Sequence, residues 1–252
     1  MTPQLEAAIA AAKEAGRLIL SHFYSALQVE TKADQTPVTA ADRAAEALLV
    51  DTLKRQFPTY GFLGEEFGAQ AAEATTRWLI DPIDGTQNFI RGIPYFATLI
   101  GLEEAGEITA GVIYAPVQDE LFYAARGQGA YRNGERLRVS DVAELAQATL
   151  LHGGLNLLQH SGRWEGFLRL VAATRRQRGF GDYFAHTLVC RGQAEVMVES
   201  DVKPWDLAPI KILVEEAGGR FSDFQGRPSI YSGNAVVSNG RLHDAVLALL
   251  AA

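Results

Sequence analysis

The feature that most constrains this chain is a short apolar run, Trp78-Leu79-Ile80, leading directly into Asp81-Pro82-Ile83-Asp84-Gly85-Thr86. The run reads as a buried strand. Pro82 stiffens the chain beyond it, so the spacing predicts a turn on which both aspartates converge. Gly85-Thr86 then opens a short helix over 87–90, whose first amides are free to meet an anion. Any fold for this chain must place a strand end, two carboxylates and a helix start around one point.

Two further acidic groups also follow apolar stretches. Gly64-Glu65-Glu66 comes after Phe62-Leu63, and Asp206 comes after Pro204-Trp205 at the start of a helix. Taken singly, Asp-Gly is a turn, Glu65-Glu66 a solvated loop, and Asp206 a cap or first-turn acid. Three such groups, each at the end of an apolar element, point instead to oxygen ligands for a hard cation. Net charge supports this. The chain carries a formal −7 with a pI near 5.3, which argues against a nucleic-acid-binding face. It also makes anion binding unfavourable unless cations stand between the carboxylates and the anion.

The 252 residues, 48% of them hydrophobic, suit one large domain or two intimately joined halves. We expect a single unit over 1–252, with an α+β half over 1–140 and an α/β half over 141–252. Helices are predicted over 2–27 (apolar at Leu5, Ile9, Leu18 and Ile19) and 39–56 (apolar at Ala44, Leu48, Val50 and Leu53), the second capped by Thr39. Strands follow over 96–103 and 108–115 around a hairpin turn at 104–107, then 121–124 and 129–132. The remainder alternates: helices over 164–174, 182–190, 205–217 and 242–250, and strands over 177–180, 194–198, near Phe221 and over 235–237. No apolar run reaches membrane-spanning length, and Glu6, Lys13, Glu14 and Arg17 break up the start, so a cytoplasmic protein is expected. The single cysteine, Cys190, lies in an apolar stretch and reads as a core residue.

The sequence Gly64-Glu65-Glu66, the run from Trp78 through Asp81-Pro82-Ile83-Asp84-Gly85-Thr86-Gln87-Asn88-Phe89, and Pro204-Trp205-Asp206-Leu207-Ala208 with Glu216-Ala217-Gly218-Gly219 together resemble the inositol monophosphatase family over nearly the whole chain. The resemblance implies a five-layered αβαβα sandwich of the inositol monophosphatase / fructose-1,6-bisphosphatase type. It implies Mg2+-dependent hydrolysis of a phosphate monoester, often lithium-sensitive, with two or three ions. Carried over by motif, Glu65, Asp81 and the Ile83 carbonyl would hold one ion, and Asp81, Asp84 and Asp206 a second. A third, weaker ion would rest partly on Glu65. Gly85 and Thr86 would bind phosphate through their amides. Thr86 and Asp42, the latter matched through Pro37-Val38-Thr39-Ala40-Ala41-Asp42, would position and deprotonate the attacking water. Lys32 matches a lysine near the metal loop. Relatives are commonly homodimers, so the partners expected are a small phosphate ester and a second copy, with no nucleic acid and no membrane.

Motif order places Asp182 and Glu199, together with Asp84 and Asp206, on the side of the substrate's organic group. The corresponding family position is often small and neutral in the inositol-phosphate branch. An aspartate there favours a cationic amine or imidazolium over a neutral polyol. The runs Gly179-Phe180-Gly181-Asp182-Tyr183-Phe184-Ala185-His186 and Lys203-Pro204-Trp205-Asp206-Leu207-Ala208-Pro209 resemble the histidinol-phosphatase branch. The substrate expected is therefore L-histidinol phosphate; inositol-1-phosphate, or a broad range of sugar and nucleotide phosphates, is the alternative, and a non-catalytic binding protein a further one. Asp182 reads equally well as a helix cap after Gly181. His186, Tyr183 and Phe184 read as packing residues, and Arg178 as reaching a neighbouring site or facing solvent.

Overall fold

The computed structural model describes residues 1–23, 29–31 and 37–251. Lys32 and the end of the first predicted helix fall outside them. In chain order the first half contains α1 (Pro3–Phe23), β1 (Val29–Thr31), β2 (Pro37–Thr39), α2 (Ala40–Gln56), β3 (Gly61–Gly64), β4 (Gly68–Gln70), β5 (Thr76–Asp84), α3 (Thr86–Ile90), β6 (Ala97–Glu104), β7 (Glu107–Ala115), β8 (Glu120–Ala125), β9 (Gly129–Arg132) and β10 (Glu135–Arg136). The second half contains β11 (Thr149–His152), α4 (Leu155–His160), α5 (Trp164–Ala173), β12 (Arg176–Arg178), α6 (Asp182–Cys190), β13 (Val196–Ser200), α7 (Pro204–Glu216), β14 (Arg220–Ser222), β15 (Asn234–Ser238) and α8 (His243–Ala251).

Eight strands form one sheet in the order β10-β9-β8-β7-β6-β5-β3-β4, and five form another, β12-β11-β13-β15-β14. Helices α1 and α2 cover one face of the large sheet, while α6 and α7 lie between the sheets. Helices α4, α5 and α8 cover the far side of the small sheet, completing αβαβα. Three apolar cores fill the gaps: one between α1/α2 and the large sheet, one around α6 and α7, one under the outer helices. Cys190 lies in the central core, where burial pushes its thiol up to about 12. That is the state of an inert packing residue.

Two local features aim the acidic residues. Strands β3 and β5 run parallel with Gly64 opposite Ile80, and the Glu65 amide donates to the Ile80 carbonyl at 3.1 Å. Glu65 therefore leaves its strand end beside Asp81. The expected turn over Asp81–Asp84 is instead a continuation of β5, broken by a bulge where Asp81 opposes Leu99 and Asp84 opposes Ala97. Residues three apart on an unbroken strand face opposite sides. The extra residue resets the phase and brings both aspartates to one side. Pro82 is tolerated there because a bulge relaxes the demand for ladder hydrogen bonds.

Helix α7 carries Asp206 at its N-terminus and lies unusually close to the large sheet. A Cβ on Gly101 would meet that of Ala208 at 2.5 Å, and one on Gly111 would meet Pro209 Cα at 2.7 Å. The glycines thus set the depth at which Asp206 enters the site.

The inward face of α2 is also different from the expected one. Ala44, Leu48 and Val50 are only half-buried, while Ala41, Ala45, Leu49 and Leu53 are buried together with Asp42 and Glu46.

Candidate active site

Glu65, Asp81, Ile83, Asp84, Gly85, Thr86 and Asp206 line one cavity of about 470 Å³, together with Asp201, Lys203 and Trp205. Three of the carboxylates are anchored by a backbone amide. Asp81 Oδ1 accepts from Ile83 N at 2.9 Å, Asp84 Oδ2 from Tyr183 N at 2.6 Å, and Asp206 Oδ2 from Lys203 N at 2.8 Å. These bonds hold each carboxylate in a fixed orientation.

Crowding like charges in a buried site raises their proton affinity. Burial, then repulsion from Glu65, Asp84 and Asp206, holds Asp81 well above the usual carboxylate range. Asp84 is raised by burial and by Asp182 and Asp206, against the opposing effect of the Tyr183 amide. Asp206 is pushed up to about 8, chiefly by burial. A bound divalent cation would remove that repulsion. Among the described residues no three His, Cys, Asp or Glu side chains already converge as a closed metal-holding group. An open cavity lined by anionic oxygens and one main-chain carbonyl suits Mg2+, which takes few protein ligands and keeps waters or substrate oxygens for the rest. The residues present fit that ion.

Gly85 caps α3 with φ 86°, ψ 37°, in the left-handed region, and a Cβ there would lie 3.0 Å from the Tyr95 carbonyl. A side chain is thus disfavoured twice over at this helix start. Thr86 Oγ1 donates to the Ile83 carbonyl at 3.0 Å. Asp42 is not among the residues lining the cavity. Its Oδ2 accepts from Thr39 N at 2.8 Å and Thr39 Oγ1 at 2.6 Å, and burial raises it, with Glu65 adding repulsion. Asp42 and Glu65 are thus electrostatic neighbours, while the threonine bonded to Asp42 is Thr39.

Asp182 and Glu199 stand behind Asp84, outside the cavity lining. The side chain of Asp182 does not cap α6; Gly181 occupies that position without a side-chain bond. Asp182 Oδ2 instead accepts from Asn88 Nδ2 at 3.1 Å and lies 3.4 Å from where a Gly85 Cβ would be. Burial and the charge of Glu199 push Asp182 up to about 6. Glu199 Oε2 pairs with His186 Nε2 at 2.9 Å, so His186 is a packed residue that holds Glu199.

Sequence reasoning missed Glu46. It is fully buried on α2, and its Oε2 accepts from Glu66 N at 2.8 Å and its Oε1 from Phe67 N at 3.0 Å. Both oxygens thus grip the loop that presents Glu65. The only available signal was its position one helical turn beyond Asp42. Asn88, which joins α3 to Asp182, carried no distinguishing spacing.

Known proteins resemble this chain over most of its length. The family model described as "Inositol monophosphatase family" matches residues 1–252. A histidinol-phosphatase of Mycobacterium tuberculosis is 43% identical over 229 residues, covering 89% of this chain and 88% of the relative. A histidinol-phosphatase of Chlorobaculum parvum is 42% identical, covering 94% and 92%. The crystal structure of the extragenic suppressor protein suhB from Bartonella henselae superposes with a TM-score of 0.92 at 33% identity, covering 99% and 98% of the two chains. A family model matched from end to end and relatives above 30% identity leave one conclusion: this chain belongs to the inositol monophosphatase family.

Proposed function

We propose that this protein is a Mg2+-dependent phosphatase that hydrolyses L-histidinol phosphate to L-histidinol and phosphate. The observation that carries the reading is the meeting of two acidic groups at Asp84: Glu65, Asp81 and Asp206 with it at the cavity, and Asp182 with Glu199 behind it. The first group suits two or three cations and a phosphate. The second suits a protonated amine or imidazole. The names of the two histidinol-phosphatase relatives agree with this substrate.

In the reaction, water oxygen bonds to phosphorus, the ester oxygen departs with the electron pair of the P–O bond, and the water's protons pass to the products. When bound, Mg2+ supplies positive charge against the developing charge on the phosphate oxygens and makes water more acidic. Asp81, Asp84 and Asp206 present one oriented oxygen each, Glu65 its carboxylate and Ile83 its carbonyl. The Gly85 and Thr86 amides face the phosphate, and Thr86, which lines the cavity, orients the water; Asp42, bonded to Thr39 outside the lining, bears on it through the charge it shares with Glu65. Asp182 and Glu199 attract the cationic leaving group and so hold the ester oxygen in line. The same reading extends to a cytoplasmic homodimer.

Phosphate release from a panel of esters, with Mg2+, with chelator and with Li+ added, tests the proposal. Histidinol phosphate is expected to be the best substrate, with turnover abolished by chelator. Turnover independent of divalent metal would overturn it.

A further inference from the structure

Three aromatic side chains near Asp182 have no part in the hydrolytic chemistry. Tyr95, in the segment between α3 and β6, is 42% exposed; Phe180, just before α6, is 47% exposed. Both contact Phe184 on α6, with ring centroids 4.7 Å and 5.5 Å apart, the second pair edge to face. Phe184 itself rests on the central core and anchors the other two rings. The three thus form one partly exposed wall drawn from both halves of the chain. The rings lie outside the cavity lining itself, and clustered aromatic surface left open to solvent is a recurrent mark of recognition.

The wall is tied to the site through one amide. Asn88 Nδ2 donates to the Tyr95 carbonyl at 2.9 Å and to Asp182 Oδ2 at 3.1 Å. The Tyr95 carbonyl and Asp182 Oδ2 both also lie within 3.4 Å of the position a Gly85 Cβ would take. Asp182 adopts φ 51°, a left-handed conformation uncommon for a residue with a side chain. Such backbone persists where surrounding contacts hold it, and it concentrates at ligand sites.

We propose that Tyr95, Phe180 and Phe184 form the wall of the leaving-group subsite and receive a protonated heteroaromatic or amine group. The ring faces attract the cation while Asp182 supplies its counter-charge. A neutral polyol gains neither contact. This deepens the proposed phosphatase function and rests on it.

The test compares kcat/KM for histidinol phosphate with that for β-glycerophosphate in the wild-type protein and in Tyr95→Leu, Phe180→Leu, Tyr95→Phe and Phe180→Tyr. The leucine variants are expected to lower the histidinol-to-glycerol ratio about 3- to 30-fold, the range of a cation–aromatic contact, mainly through KM. The ring-preserving variants are expected to keep the ratio. An unchanged ratio in folded leucine variants, verified by circular dichroism, overturns the aromatic wall. So does a leucine variant that keeps the ratio while its mass in solution falls, which would make the rings a contact between copies. A wild-type protein that does not favour histidinol phosphate overturns the substrate reading itself, so the two failures are distinguishable.

Discussion

Asp84 Oδ2 accepts a hydrogen bond from the backbone amide of Tyr183 at 2.6 Å, joining the bulged end of β5 to the first turn of α6. The strand comes from the large sheet and the helix from the layer between the sheets. This bond aligns the carboxylate cluster with the helix that carries Asp182.

Asp84→Asn retains an oxygen that can accept from Tyr183, so the fold persists, with Tm expected within about 5 °C of wild type. The charge at the cavity is lost, and kcat is expected to fall at least ~100-fold, the scale of losing one electrostatic group at a reacting centre. A folded variant with near-wild-type kcat would remove Asp84 from its assigned role.

Glu46 offers a different perturbation. Glutamine keeps one acceptor, but its amide NH2 would face the amide of Glu66 or Phe67, donor against donor. Glu46→Gln is therefore expected to loosen the loop that presents Glu65. The Mg2+ concentration for half-activation should rise about tenfold, the scale of losing a group that orients a metal ligand, with a smaller change in kcat. An unaltered Mg2+ activation curve would show that the loop holds its shape without this residue.

Proton uptake sets the pH dependence of the metal-free protein. Burial pushes Glu46 up to about 7 and Asp206 up to about 8, and Asp81 and Asp84 are raised in the same direction. Between the ordinary carboxylate range and these values the folded state binds more protons than the unfolded one, so stability falls as pH rises. Glu46 alone could account for on the order of 3 kcal/mol between about pH 4.5 and 8. Thermal denaturation without divalent metal is expected to show Tm decreasing from about pH 5 to about pH 8. Saturating Mg2+ should raise Tm more at the higher pH, because ligands must be deprotonated to bind it. A metal-induced shift larger at the acidic end would contradict the assignment.

Asp182→Asn separates the leaving-group side from the metal side. It preserves an oxygen for Asn88 and removes a charge that repels Asp84. KM for histidinol phosphate is expected to rise about tenfold, with the Mg2+ activation curve nearly unchanged. Equal losses on neutral and cationic esters would assign Asp182 a structural role.

Much of this architecture is legible in the amino-acid order alone. The two-residue turn between β6 and β7 is formed by Ala105 and Gly106, both with positive φ, as a tight hairpin requires. Helices α6 and α7 begin within a residue of their expected starts because glycine, proline and an acidic first turn punctuate them. The inward face of α2 is not legible, since Asp42 and Glu46 occupy it and a face with two carboxylates carries no apolar periodicity. Strands β3 and β11, four residues each, are too short to show a period, and β3 begins and ends in glycine. The carboxylate cluster is legible as a group of residues. Its convergence is not, because a bulge in β5 and the parallel register of β3 with β5 are properties of pairing between distant segments.

A site that hydrolyses a phosphate ester of a cationic alcohol with Mg2+ shows itself in the ratio of kcat/KM for L-histidinol phosphate to that for inositol-1-phosphate, measured with saturating Mg2+ at neutral pH. With Asp182 beside Gly85 and Glu199 an electrostatic neighbour of Asp182, we expect the ratio to exceed about 100, equivalent to roughly 2.7 kcal/mol of preferential transition-state binding. A ratio of one or below would contradict that reading.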